Sequence, residues 1–202
     1  SRLREYKGET QKPHILDSQQ SRAIEEIRKS WQEKNVTLLH GVTSSGKTEV
    51  YIHLIEEVLQ QGKQVLYLVP EIALTPQMLH TFSSHFGDEI AVLHSSLSVG
   101  ERYDEWKRIK AGKAHVVIGT RSAVFAPVEN LSLIIIDEEQ EETYKSENTP
   151  RYHARDIAKF RCAKAGCLLL LGSATPDICS MHSADSGKYK LFTLKQRYND
   201  ME

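Results

Sequence analysis

The run Gly41-Val42-Thr43-Ser44-Ser45-Gly46-Lys47-Thr48 constrains this chain more than any other segment. It satisfies the pattern G-x-x-x-x-G-K-[ST] at every fixed position. A short apolar run, Val36 to His40, precedes it. A stretch from Gly46 to Gln61 follows, in which Val50, Ile52, Leu54, Ile55, Val58 and Leu59 form a nearly continuous apolar set. A buried strand, a glycine-rich turn and a well-buried helix are therefore expected in that order. Backbone N–H groups of such a turn and of the opening helix converge on phosphate oxygens. Gly41 and Gly46 permit the turn. Lys47 brings positive charge to the β- and γ-phosphates, and Thr48 offers a hydroxyl to Mg2+. The expected ligand is ATP with Mg2+, held by Gly41, Thr43, Ser45, Gly46, Lys47 and Thr48.

The rest of the chain repeats the alternation. Helices are expected from Asp17 or Ser18 to about Lys34, from Thr75-Pro76 to about Phe86, from Ser98 to Lys110, from about His153 to Ala165, and from Pro176 to Ala184. On the first of these, Ala23, Ile24, Ile27 and Trp31 share an apolar face. Strands are expected at Val65 to Val69, Ile90 to His94, His115 to Gly119, Leu133 to Ile136, Cys167 to Leu171 and Tyr189 to Leu194. The strands are solid apolar runs, not alternating ones. That pattern belongs to an α/β fold, a parallel β-sheet with helices on both faces. Residues 1–14 are charged and contain Gly8 and Pro13, and are read as a linker or arm. Residues 15–202 are read as one domain, a piece of a longer protein.

Composition excludes several classes. Lys plus Arg is 26 and Asp plus Glu is 27, so a globally basic nucleic-acid coat is excluded while a local basic patch is not. The three cysteines, Cys162, Cys167 and Cys179, contain no C-x-x-C pair, which argues against a disulfide framework or a zinc knuckle and fits a reducing cytoplasm. No run of about 18 apolar residues is present, so no membrane span is expected. Nine histidines form no His-x3-His set with a nearby third ligand, and His94 and His153 are read as structural or as part of a binding surface.

A second chemical signal lies at Leu133-Ile134-Ile135-Ile136-Asp137-Glu138, an apolar strand ending in two carboxylates. Ligands of parallel sheets bind at the carboxyl ends of the strands. Asp137 there would hold Mg2+, and Glu138 would polarise an attacking water; a helix N-terminus carrying acids is the other reading of the pair. Glu139, Glu141 and Glu142 read mostly as a solvated face. Gly172-Ser173-Ala174-Thr175-Pro176 follows another apolar strand, and by itself is a capped strand-to-helix turn.

Phosphate loop, Asp-Glu-Glu and Ser-Ala-Thr, in this order, resemble motifs I, II and III of the first RecA-like lobe of superfamily-two helicases. Further segments sharpen this: Val69-Pro70-Glu71-Ile72-Ala73-Leu74-Thr75-Pro76-Gln77, His94-Ser95-Ser96-Leu97-Ser98 with Glu101-Arg102, Gly119-Thr120-Arg121-Ser122-Ala123-Val124-Phe125-Ala126-Pro127, and Pro150-Arg151-Tyr152-His153-Ala154-Arg155-Asp156. Over about residues 15 to 198 the chain is similar to the PriA family, the bacterial primosomal replication-restart DNA helicases.

The resemblance implies an ATP-binding motor lobe of a 3′-to-5′ DNA helicase that acts at stalled forks. It implies Gln20, with Gln19 as the neighbouring candidate, on the adenine; Glu138 and Lys47 as catalytic groups; and Thr48 and Asp137 on the metal. It places Thr75, Pro76, Arg121 and Ser122 against single-stranded DNA. Tyr144, Lys145, Arg151, Tyr152 and Arg155 fall in a loop similar to the family's aromatic-rich loop. Tyrosine faces could stack on bases there and the cations could meet phosphates, or the loop is simply solvated. Ser173, Thr175 and Gln140 would couple nucleotide state to lobe motion.

Two departures stand out: Ser44 replaces a usual glycine, and Gln140 stands where the family has His. Gln donates and accepts hydrogen bonds but does not titrate near neutral pH. The resemblance further implies a bacterial cytoplasmic monomer working with forked DNA, a second helicase lobe, an N-terminal DNA-binding region, primosome proteins and single-strand-binding proteins. Zinc belongs to a cysteine-rich insertion that is not in this sequence. Other readings are a small P-loop kinase, which leaves the Ser-Ala-Thr turn without work, and a nucleotide-dependent DNA-binding module without efficient hydrolysis.

Overall fold

A computed structural model describes residues 10–33, 36–42 and 45–195. Residues 1–9, which carry most of the expected arm, lie outside this set, as do Thr43 and Ser44 of the glycine-rich turn. Helix α1 (Ser18–Glu33) leads into strand β1 (Val36–Gly41) and helix α2 (Lys47–Gln60). Then come β2 (Gln64–Leu68), α3 (Pro76–Phe86), β3 (Ile90–Leu93), α4 (Val99–Lys110) and β4 (Val116–Gly119). The second half holds β5 (Leu131–Ile136), α5 (Ala154–Ala165), β6 (Leu168–Ser173), α6 (Ile178–Asp185) and β7 (Lys190–Leu194).

Local chemistry sets the helix starts. Asp17 Oδ1 accepts the Gln20 N–H at 2.7 Å while Gln20 Oε1 accepts the Asp17 N–H at 2.9 Å, a reciprocal cap for α1. Thr75 caps α3 through the Met78 N–H, with Pro76 at the first helical position. Ser98 and Glu101 close a capping box on α4, and His153 Nδ1 accepts the Arg155 N–H at the start of α5.

The seven strands form one sheet in the order β3-β4-β2-β5-β6-β1-β7, and every pairing is parallel. Since successive residues of a strand point to opposite faces, solid apolar strands feed two cores. On one face Leu39, Val65, Tyr67, Ile135 and Leu170 pack with α1, α2 and α3. On the other, Leu38, Leu66, Ile134, Ile136 and Leu169 pack with α4 and α5. The expected sheet with helices on both faces is the observed one. Strand β6 lies between β1 and β5, with Leu38 beside Leu171 and Ile136 beside the same residue. The carboxyl ends of these three strands carry the glycine-rich turn, Asp137 and Ser173, so the three segments meet at one edge of the sheet.

Candidate nucleotide site and flanking cleft

The turn is built as its glycines require. Gly46 sits at φ 84°, and a Cβ there would lie 2.1 Å from the amide nitrogen of Gln20. Gln20 is fully buried, and its Nε2 donates to the Gly46 carbonyl at 3.2 Å. The expected adenine contact is thus pinned between the α1 cap and the turn, while Gln19 accepts the Lys195 N–H. Lys47 Nζ donates to the Gly41 carbonyl at 2.7 Å, so the ammonium lies inside the turn. The Ser45 hydroxyl is buried without a partner there, and Thr48 is exposed. A lysine on backbone carbonyls and an orphaned buried hydroxyl form a donor set suited to phosphate oxygens.

Asp137 ends β5. Its Oδ1 accepts from the Tyr51 hydroxyl at 2.9 Å, and burial pushes its carboxyl up to about 6; Tyr51 and Lys47 oppose that shift and Glu138 adds to it. A half-buried carboxylate that feels the Lys47 charge without an ion pair to it fits a divalent cation, with the Thr48 hydroxyl as a second oxygen.

Glu138 takes φ 49°, a left-handed conformation that costs a residue with a side chain of the order of 1 kcal/mol. A relay starts at it. Gln140 Nε2 donates to Glu138 Oε2 at 2.8 Å, the Ser173 hydroxyl donates to Gln140 Oε1 at 2.5 Å, and Ser173 Oγ accepts the Thr175 N–H at 2.9 Å. One side-chain amide therefore joins the acidic strand end to the Ser-Ala-Thr turn.

The aromatic-basic loop departs from expectation in two places. Tyr144 offers no stacking face: it is 1 % exposed, packs under the sheet, and its hydroxyl donates to the Asp137 carbonyl at 2.6 Å. Arg155 faces no phosphate either. Its Nη1 donates to Glu139 Oε2 at 2.8 Å and to the Ser180 hydroxyl at 3.2 Å, and its side chain is 12 % exposed. Glu139, read from sequence as solvated, is fully buried and also accepts the Asp177 N–H and the Ser180 hydroxyl. A helical or loop position says little about which way a long side chain turns: the buried Glu139 captured Arg155, and the Asp137 carbonyl captured Tyr144.

Part of the candidate set lines a cleft of about 480 Å³ at the carboxyl ends of β2, β4 and β5. Arg121, Ser122, Tyr144 and Lys145 line it together with Glu71, Ser95, Glu142 and Glu147. Arg121 Nη1 donates to the carbonyls of Thr143 and Lys145, so it holds the loop as well as the cleft wall. Ser122, Lys145 and Arg151 are exposed, as are Thr75 and Pro76 at the start of α3. Tyr152 is half-buried against Phe125, ring centroids 4.9 Å apart. Sequence reasoning missed Tyr51 and Gly172. The tyrosine's place four residues past Lys47, on the same side of α2, was the available signal.

A parallel sheet with a phosphate turn, an acidic strand end and a bridging Ser-Ala-Thr segment defines a nucleotide-binding lobe of helicase type. Residues 17–182 match the DEAD/DEAH box helicase family, and the chain belongs to it. The family implies ATP binding with a divalent metal. The chain is 51% identical over 189 residues to the replication restart protein PriA of Bacillus subtilis (strain 168), covering 93% of this chain and 24% of that protein. The PriA of Treponema pallidum (strain Nichols) is 47% identical over 184 residues, covering 91% and 28%. The chain thus spans about a quarter of the length of these relatives. Among solved structures, RecG bound to a three-way DNA junction superposes with a TM-score of 0.67 at 27% identity, covering 95% of this chain and 25% of that one. The resemblance read from the motifs is therefore upheld, and so is the RecA-like fold. No helix among the described residues is long and apolar enough to cross a membrane.

Proposed function

We propose that the chain is the ATP-binding motor lobe of a 3′-to-5′ DNA helicase that acts at stalled replication forks in primosome assembly and replication restart. The observation that carries this reading is the relay from Glu138 through Gln140 to Ser173 and Thr175. A kinase has no use for a bridge from its acidic strand end to a Ser-Ala-Thr turn. A motor needs one, because a change at the γ-phosphate has to reach another element.

In this reading Gln20 gives up its bond to the Gly46 carbonyl to meet the base, and the turn from Gly41 to Thr48, with Thr43 and Ser45, holds the phosphates. Mg2+ bound by Thr48 and Asp137 would neutralise phosphate charge. Glu138 orients the attacking water and accepts its proton, and Lys47 stabilises charge that grows on the phosphates. Thr75, Pro76, Arg121, Ser122, Lys145, Arg151 and Tyr152 form the face for single-stranded DNA, with Tyr144 and Arg155 beneath it as supports. Partners are forked DNA, a second lobe and an N-terminal DNA-binding region of the longer protein, primosome proteins and single-strand-binding proteins, in the bacterial cytoplasm, with the motor a monomer. Zinc belongs outside this lobe, and residues 1–14 serve as a linker.

The second lobe would supply an arginine worth roughly 10³–10⁵ in rate. The 202-residue chain alone therefore binds Mg·ATP and hydrolyses it slowly. Calorimetry on the chain and its Lys47→Ala variant, then DNA-stimulated ATPase in a two-lobed protein, tests the reading. Nucleotide binding lost in the variant and turnover raised by DNA support it. A folded wild-type chain that ignores nucleotide, or a two-lobed protein indifferent to DNA, overturns it.

A further inference from the structure

Three fully or nearly buried tyrosines surround Asp137, each from a different segment. Tyr51 comes from α2, Tyr67 from β2 and Tyr144 from the loop after β5, with exposures of 0%, 2% and 1%. The Tyr51 hydroxyl donates to the carboxylate Oδ1 at 2.9 Å, and the Tyr67 hydroxyl approaches the same carboxylate more weakly. Tyr144 serves the Asp137 main chain instead, and Tyr67 packs its ring on Tyr51 with centroids 5.7 Å apart. The place of the Tyr51 hydroxyl is carved out by Gly172. A Cβ on Gly172 would lie 1.7 Å from that hydroxyl and 3.0 Å from Asp137 Oδ1. The glycine before Ser173 is thus a contact surface for the Tyr51–Asp137 pair, and the turn itself does not explain it, since its φ is not positive.

We propose that Tyr51 is a positioning residue that sets which divalent cation Asp137 accepts. The inference rests on the nucleotide-site reading above. A hydroxyl bound to Oδ1 takes up one of that oxygen's lone pairs, so it would work against a bidentate grip of Asp137 on a cation. A small octahedral ion that keeps its waters, Mg2+, accepts one carboxylate oxygen. Ca2+ gains from bidentate carboxylates and longer, looser contacts. Hydrogen-bonded partners of a ligating carboxylate also fix its orientation, so their loss reaches the metal without touching the phosphates. Buried Tyr51, rigid between Gly172 and Tyr67, suits that task.

The test is ADP binding to the 202-residue chain by calorimetry in Mg2+, in Ca2+ and in chelator, for wild type, Tyr51→Phe and Tyr67→Phe. Expected for Tyr51→Phe is metal-free ADP affinity like wild type and a Mg2+-over-Ca2+ preference narrowed on the order of tenfold. Tyr67→Phe, which removes the weaker of the two hydroxyl partners, narrows the preference less than Tyr51→Phe does. Gly172→Ala, which displaces the hydroxyl from the opposite side, reproduces the Tyr51→Phe result and stands in for it if that variant folds poorly. An unchanged preference in Tyr51→Phe and Gly172→Ala, whatever their melting temperatures, overturns the proposal and leaves the nucleotide site intact. Wild-type chain that binds no nucleotide under any condition overturns both.

Discussion

Asp137 to Gln140 and Glu142 to His153 are neighbours in sequence and opposites in construction. In the first segment the functional side chains end on protein partners: Tyr51 on Asp137, Gln140 on Glu138, and Arg155 and Ser180 on Glu139. In the second, the main chain is what is held. Arg121 grips two carbonyls, Ser146 N–H donates to the Tyr152 carbonyl, and Lys145 pairs with His153 in an antiparallel bridge. The side chains of Lys145, Glu147 and Arg151 are left in solvent. One segment is wired to keep reacting groups in place. The other is a stiff frame with free polar tips, the construction a surface needs if it is to meet a partner and report the meeting inward.

The sharpest way to break that contrast is to alter a group whose work is chemical. Glu138→Gln removes a general base but keeps the volume and an acceptor for Gln140. In a two-lobed protein, ATP turnover should fall by roughly 10²–10⁴ while Mg·ATP affinity persists. Equal turnover would make the acidic strand end a mere cap.

Next in size is the pair that joins the two segments. Arg155→Ala leaves Glu139 charged and buried, a defect of about 3–5 kcal/mol, read as a lower midpoint in urea. Gln140→Ala follows, because it strands the Ser173 hydroxyl and one carboxylate partner, at about 1–3 kcal/mol. Its diagnostic readout is a loss of DNA stimulation with Mg·ADP affinity unchanged. Arg151→Ala should act oppositely. Stability stays within about 0.5 kcal/mol, while the salt dependence of single-strand DNA binding loses about 0.7 in slope. If Arg151→Ala were the destabilising change and Arg155→Ala the DNA-binding one, the contrast would be inverted.

This inversion is what the sequence left open. Strand and helix positions were legible because burial on both faces demands solid apolar runs, and the observed bounds of β1, β3 and α3 differ from the expected ones by a residue. Residues whose pattern fixes a backbone, such as Gly46, were legible for the same reason. The directions of Tyr144 and Arg155 were not. Both are amphipathic side chains that serve equally on a DNA face or inside; the partner that decides Arg155, Glu139, looked like one more acid in a polar run, and the one that holds Tyr144 is a main-chain carbonyl, which carries no sequence signal. Tyr51 escaped notice because its partner lies 86 residues away.

The smallest effect probes the frame at its joint. His153 caps α5 by accepting the Arg155 N–H on Nδ1, which requires the proton on Nε2. Burial first, and then the Arg155 charge, hold its imidazolium below the ordinary range, while Asp156, Asp177 and Glu139 pull the other way. The unfolded chain titrates this residue near ~6.5 and the folded chain lower. Between those values the unfolded state binds more protons, so stability is fully present above ~6.5 and declines as pH falls through the folded value. Thermal melts from pH 8 to pH 5 should show that decline for wild type. His153→Asn, which keeps a capping acceptor but cannot protonate, should flatten it. A decline of the same size in the variant would assign the pH dependence to the carboxylates around Arg155, and the joint would then be held by its charges alone and not by its cap.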